Sequence, residues 1–90
     1  MDSTECRDVQ RQIDDVRRNR RSQSPKDLAA LASSLGYTID RERGKGSHWY
    51  ALAGPGPHFA IPTNRDPVSV GVTTQILRIM EEVFDDVCGR

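Results

Sequence analysis

The chain has 90 residues, enough for one domain near the lower size at which a core sustains itself without covalent staples. Hydrophobic residues make up 36% of it and charged residues 29%, and 13 basic side chains cancel 13 acidic ones. No apolar run is long enough to span a bilayer and no apolar stretch follows the N-terminus as a signal peptide requires, so a cytoplasmic domain with no membrane role is expected.

The chain reads as an N-terminal extension, residues 1–22, followed by a compact unit over 23–90. In the extension, Val9, Ile13 and Val16 recur at helical spacing and predict a helix over about residues 4–20 with a thin apolar stripe. So narrow a stripe buries little, so this helix is expected to dock weakly on the domain or on a partner. Ser22-Gln23-Ser24-Pro25 interrupts it. Ser24 can cap the next helix, Pro25 suits its first turn, and Asp27 places an acid near its positive end. Leu28, Leu31, Ala32 and Leu35 form one face of a helix over 25–35, which Gly36 stops.

Residues 37–41, Tyr-Thr-Ile-Asp-Arg, alternate as a strand does. A glycine turn at 44–46 leads to a second strand over about 47–52. Ala53-Gly54-Pro55-Gly56-Pro57 cannot continue a ladder and predicts an exposed loop. A third strand at 58–61 is closed by Pro62, and Asn64-Arg65-Asp66-Pro67 forms a further loop. Ile76, Leu77, Met80, Val83, Phe84 and Val87 give the last helix, about 70–86, a wide apolar face, with Ser69 as its cap. The order is α-β-β-β-α with an extra N-terminal helix. It predicts a small two-layer α+β domain in which a three-stranded antiparallel sheet is covered on one face by helices.

Cys6 and Cys88 lie near opposite ends, without metal-type spacing to a histidine. Fraying termini make a poor staple, so reduced bystander thiols are expected, in keeping with the cytoplasm.

The zero net charge hides a segregation. Residues 1–16 carry five acids against two arginines, and 79–90 four acids against one arginine. Residues 17–78 hold ten basic side chains and four acidic ones. A basic middle points to RNA or another polyanion as partner. Arg17-Arg18-Asn19-Arg20-Arg21 also reads as a solvated helix end, where cations favour the dipole.

The most informative stretch is Arg41-Glu42-Arg43-Gly44-Lys45-Gly46-Ser47-His48-Trp49-Tyr50. It places an imidazole after a flexible cationic turn. Glycines permit positive φ or a close ligand approach, and histidine exchanges protons near neutrality. Trp49 and Tyr50 must point to opposite sheet faces, one toward the core and the other open to stack on a base, and parity leaves open which is which.

With Leu35-Gly36-Tyr37, Arg43-Gly44-Lys45-Gly46-Ser47-His48, Ile61-Pro62-Thr63-Asn64 and Ile76-Leu77-Arg78 in this order, the chain over about 24–86 resembles the HicA toxins and the related YcfA-like proteins. It departs from their pattern at Trp49, where a polar residue or histidine often follows Gly-Ser-His. It departs again at Thr63-Asn64, where many members carry a histidine, and in its N-terminal helix. The resemblance implies a fold similar to double-stranded-RNA-binding domains, used for ribosome-independent cleavage of single-stranded mRNA. It also implies neutralisation by a HicB-like antitoxin protein, in a monomer or a small hetero-complex.

Cleavage of RNA without a metal or other cofactor needs a base to take the proton of a 2′-hydroxyl, which then attacks the adjacent phosphorus. His48 is the candidate catalytic base. Lys45 and the backbone N–H groups of Gly46 and Ser47 are candidates to stabilise charge on the non-bridging oxygens. Ser47 could instead orient the imidazole or contact a phosphate. Arg41 and Arg43 are candidates to hold the RNA backbone. His58 fits a solvated residue at a strand start, with leaving-group acid as its sharper alternative. Two histidines ten residues apart with no carboxylate cluster do not suggest a metal site. A non-catalytic RNA- or protein-binding module on the same fold is the alternative function.

Overall fold

A computed structural model describes residues 1–43 and 46–89. Helix α1 spans Ser3–Arg18 and starts in a capping box. The Glu5 N–H donates to the Asp2 carboxylate at 2.8 Å, and the Asp2 N–H donates to the Glu5 carboxylate at 3.1 Å. A 3-10 turn at Arg20–Ser22 leads to α2, Pro25–Ser34. Ser24 and Asp27 form the same reciprocal cap there, and Pro25 occupies the first turn. Gly36 ends α2 at φ +104°, and the Tyr37 N–H reaches back to the Ala32 carbonyl at 3.0 Å. That left-handed position is one that a side chain would strain.

Strands β1 (Thr38–Asp40), β2 (His48–Leu52) and β3 (Phe59–Pro62) form an antiparallel sheet in the order β1-β2-β3. Helix α3, Val70–Val87, follows, with the Ser69 hydroxyl accepting the Val72 N–H at 3.3 Å. The expected α-β-β-β-α order with an extra N-terminal helix is therefore the observed one. Among the described residues no helix is long and apolar enough to cross a membrane.

Register decides what each sheet face does. Ile39 pairs with Ala51 and Ala51 with Phe59, while Trp49 pairs with Ile61. Alternation puts these five on one face, and all belong to the core or pack against it. Thr38, Asp40, His48, Tyr50, Leu52, Ala60 and Pro62 occupy the opposite face, which contributes nothing to the core.

Two features differ from the sequence reading. Helix α1 is not a loosely docked appendage: Val9, Ile13 and Val16 are 2%, 1% and 5% exposed and share one core with Leu28, Leu31, Ile76, Met80 and Val83. The core therefore runs across the boundary expected at residue 22. A thin stripe suffices because α1 packs lengthwise on α3, with Arg17 bonded to Glu81 at one end. Cys6 and Cys88 close the other end as a disulfide with Cα atoms 6.0 Å apart, rather than standing as reduced thiols. The two termini do not fray apart because these antiparallel helices bring them together. The disulfide also removes the support that reduced thiols lent to a cytoplasmic location.

The 53–57 loop is a clamp as well as a break. Tyr37 is 4% exposed, and its hydroxyl donates to the Pro57 carbonyl at 2.8 Å. A Cβ on Gly54 would lie 2.3 Å from the Tyr37 ring, and one on Gly56 would lie 2.3 Å from Val83. Both glycines are needed for this close approach. Burial pushes the Tyr37 phenol up from its ordinary value, opposed by a backbone hydrogen bond from Gly56.

Candidate functional site

His48 opens β2 directly after Gly46 and Ser47 and is half-buried on the core-free sheet face. Its Nδ1 lies 3.2 Å from the Ser47 hydroxyl. Two residues on, Tyr50 shares that face, with ring centroids 6.3 Å apart and planes tilted by 36°. Trp49 points the other way, toward the core. This resolves the parity question: Tyr50 is the aromatic beside the imidazole, and Trp49 is the packing residue.

The turn is held from both sides. The Asp40 carboxylate accepts the N–H groups of Glu42 at 3.0 Å and Arg43 at 3.1 Å, an Asx-type turn closing β1. Those two backbone bonds, with a smaller contribution from the Arg43 side chain, hold the Asp40 carboxyl below its usual range. On the far side, Thr63 donates its hydroxyl to the Gly46 carbonyl at 2.6 Å and its N–H to the Ser47 carbonyl at 3.0 Å. Gly46 sits at φ +94° with open space where a Cβ would go, so here the backbone conformation, not crowding, calls for glycine.

The cations divide. Arg43 is exposed and its Nε lies 3.4 Å from Asp40, so part of its charge is balanced on the sheet face that carries His48. The Arg41 guanidinium stacks 4.4 Å above the Trp49 ring and is thereby drawn to the core side. Lys45, a candidate phosphate ligand, lies outside the described residues, as does Gly44.

His58 is not brought to His48. Pro62 is the partner of His48, and His58 lies four positions back along the chain, about 13 Å at strand rise. Sequence reasoning missed Asp40 and Thr63, which build the turn that presents Ser47 and His48. Asp40 carried a usable signal, since Asp at a strand end before a Gly-containing stretch favours an Asx turn. The Thr63 contacts depend on β2–β3 register and had no local signal.

Chemically, the arrangement offers an imidazole with one ring nitrogen held, an adjacent aromatic face, and the exposed Arg43 guanidinium on the same open sheet face. Compared with protein-family models, curated proteins and solved structures, the chain matches none.

Proposed function

We propose that the chain is a metal-independent endoribonuclease acting on single-stranded mRNA, the toxin of a pair with a HicB-like antitoxin. The observation that carries this reading is the Ser47–His48–Tyr50 arrangement on the core-free sheet face. With Nδ1–H donating to the Ser47 hydroxyl, the lone pair of Nε2 is directed to substrate and takes the proton of a 2′-hydroxyl. The 2′-oxygen attacks the adjacent phosphorus as the P–O5′ bond breaks; water protonates the leaving 5′-oxygen and His48 returns its proton to solvent, leaving a 2′,3′-cyclic phosphate and a 5′-hydroxyl. Tyr50 supplies a face on which a base stacks. Arg43, Lys45 and the N–H groups of Gly46 and Ser47 meet the negative charge that builds on phosphorus oxygens. Arg41, stacked on Trp49, holds the RNA backbone at the edge of the sheet.

The test is incubation of purified protein with a defined RNA in chelator, wild type beside His48→Ala, with analysis of product ends. Cyclic phosphate ends from wild type and intact RNA from the variant support the proposal. RNA that is bound but never cut by wild type identifies the non-catalytic RNA-binding module instead.

A further inference from the structure

A second cationic surface lies outside the His48 turn. Residues 17–22 and Val70, the first residue of α3, line a concavity of about 440 Å³. Two of its arginines are spoken for: Arg17 bridges Asp14 and Glu81, and Arg18 bonds Asp15. Arg20 and Arg21 have no carboxylate partner among the described residues. Arg20 is also pre-positioned, because its Nε donates to the Arg17 carbonyl at 3.2 Å and leaves both terminal nitrogens to a ligand. The α3 N-terminus adds the positive end of its dipole and backbone N–H groups without intrahelical acceptors. Val70, 43% exposed, gives the rim an apolar patch.

A chain of hydrogen bonds links this surface to the segment that presents His48. Thr63 bonds Gly46 and Ser47. The loop that Thr63 begins returns through the Val68 N–H to the Gln23 carbonyl at 2.9 Å, and the Gln23 amide donates to the Asn19 carbonyl at 2.9 Å. The Gly46–Ser47 segment, the loop with Arg65 and the arginine concavity are therefore connected by hydrogen bonds. The acids of residues 2–8 and 82–86 flank the Cys6–Cys88 end.

We infer that Arg20 and Arg21, with the α3 N-terminus, form a phosphodiester-binding subsite that holds the RNA strand beyond the His48 turn. In its choice of ligand the inference rests on the RNA reading above. Two neighbouring guanidinium forks, at the rim of one concavity and without carboxylate partners among the described residues, suit successive phosphates of one strand.

Binding of a labelled, fully 2′-O-methylated oligoribonucleotide tests this, since it lacks the nucleophile and cannot be cut by the proposed route. Salt titrations would compare wild type, Arg20→Gln/Arg21→Gln and Arg7→Gln/Arg11→Gln. The last makes the same charge change near the disulfide. Losing two phosphate contacts lowers the log–log salt slope by about 1.4, so the variant-to-wild-type ratio of dissociation constants shrinks about sevenfold from about 50 to about 200 mM salt. The Arg7/Arg11 variant keeps the wild-type slope. An unchanged slope in the Arg20/Arg21 variant, or an equal fall in both, overturns the subsite. If RNA is bound with the expected slope change but never cleaved by wild type, the catalytic reading fails and this one stands. If cleavage depends on His48 while the slope is unchanged, the subsite alone fails.

Discussion

Replacing Ile13 with alanine asks whether α1 is structural. Ile13 is 1% exposed in the middle of the α1 stripe, between Val9 and Val16. Truncating a fully buried isoleucine removes its transfer free energy and leaves a cavity, together about 2–5 kcal/mol. Domains of this size are stable by only about 5–15 kcal/mol, so the loss is a large share of the whole. At roughly 4–8 °C per kcal/mol, the melting temperature should fall by at least about 8 °C. Urea denaturation followed by far-UV circular dichroism would read the change as a lower midpoint at constant slope. Lys26→Ala, an exposed change on α2, serves as control and should stay within about 0.5 kcal/mol. A loss below about 1 kcal/mol for Ile13→Ala would refute the reasoning, returning α1 to a weakly docked segment. The same packing implies that deleting residues 1–22 unfolds the rest: burying Val9, Ile13 and Val16 is worth roughly 5–9 kcal/mol at about 1.5–3 each.

Three further outcomes follow from the geometry. Reducing the Cys6–Cys88 disulfide, which closes a separation of 82 residues, should cost about 4.5 kcal/mol on chain-entropy grounds, read as a fall in urea midpoint with reductant. Gly54→Ala puts a methyl 2.3 Å from the Tyr37 ring, so it should destabilise by about 1–3 kcal/mol and loosen the 53–57 loop, seen as faster amide exchange there. Asp40 should titrate by NMR below the ordinary carboxylate value of about 3.9, because its charged form accepts two backbone N–H groups. Its contribution to stability is therefore complete above the unfolded value and is lost as pH falls through the lower folded value; a midpoint at or above about 3.9 would contradict the turn geometry.

Much of the fold was legible because its signals are local. The reciprocal caps need only Ser24, Pro25 and Asp27 within one turn, and Gly36 declares a helix end by itself. The strand alternation and the stop at Pro62 likewise act over a few residues. Pairings between distant parts of the chain were not legible. The stripe of α1 was visible, but its partner lies on α3, and the Cys6–Cys88 bond depends on those helices running antiparallel. The apolar count of α1 was therefore read as weakness when the helix completes a shared core. The candidate site divides in the same way. The Gly-Ser-His placement was readable, while the turn-building roles of Asp40 and Thr63, the face chosen by Tyr50 and the stacking of Arg41 on Trp49 all required sheet register. The 53–57 stretch was expected as a loop, but the reason for its glycines, the nearness of Tyr37 and Val83, appears only in three dimensions.

The most direct measurement of the central claim is the single-turnover rate of RNA cleavage in chelator by wild type and by His48→Gln, both shown to be folded by matching circular dichroism. Glutamine keeps a hydrogen-bonding side chain beside Ser47 and cannot act as a base near neutral pH. Loss of general-base catalysis should lower the rate by about 10²–10⁴-fold while RNA binding is kept. A variant that cleaves within a few-fold of wild type would contradict the assignment of His48 as the base.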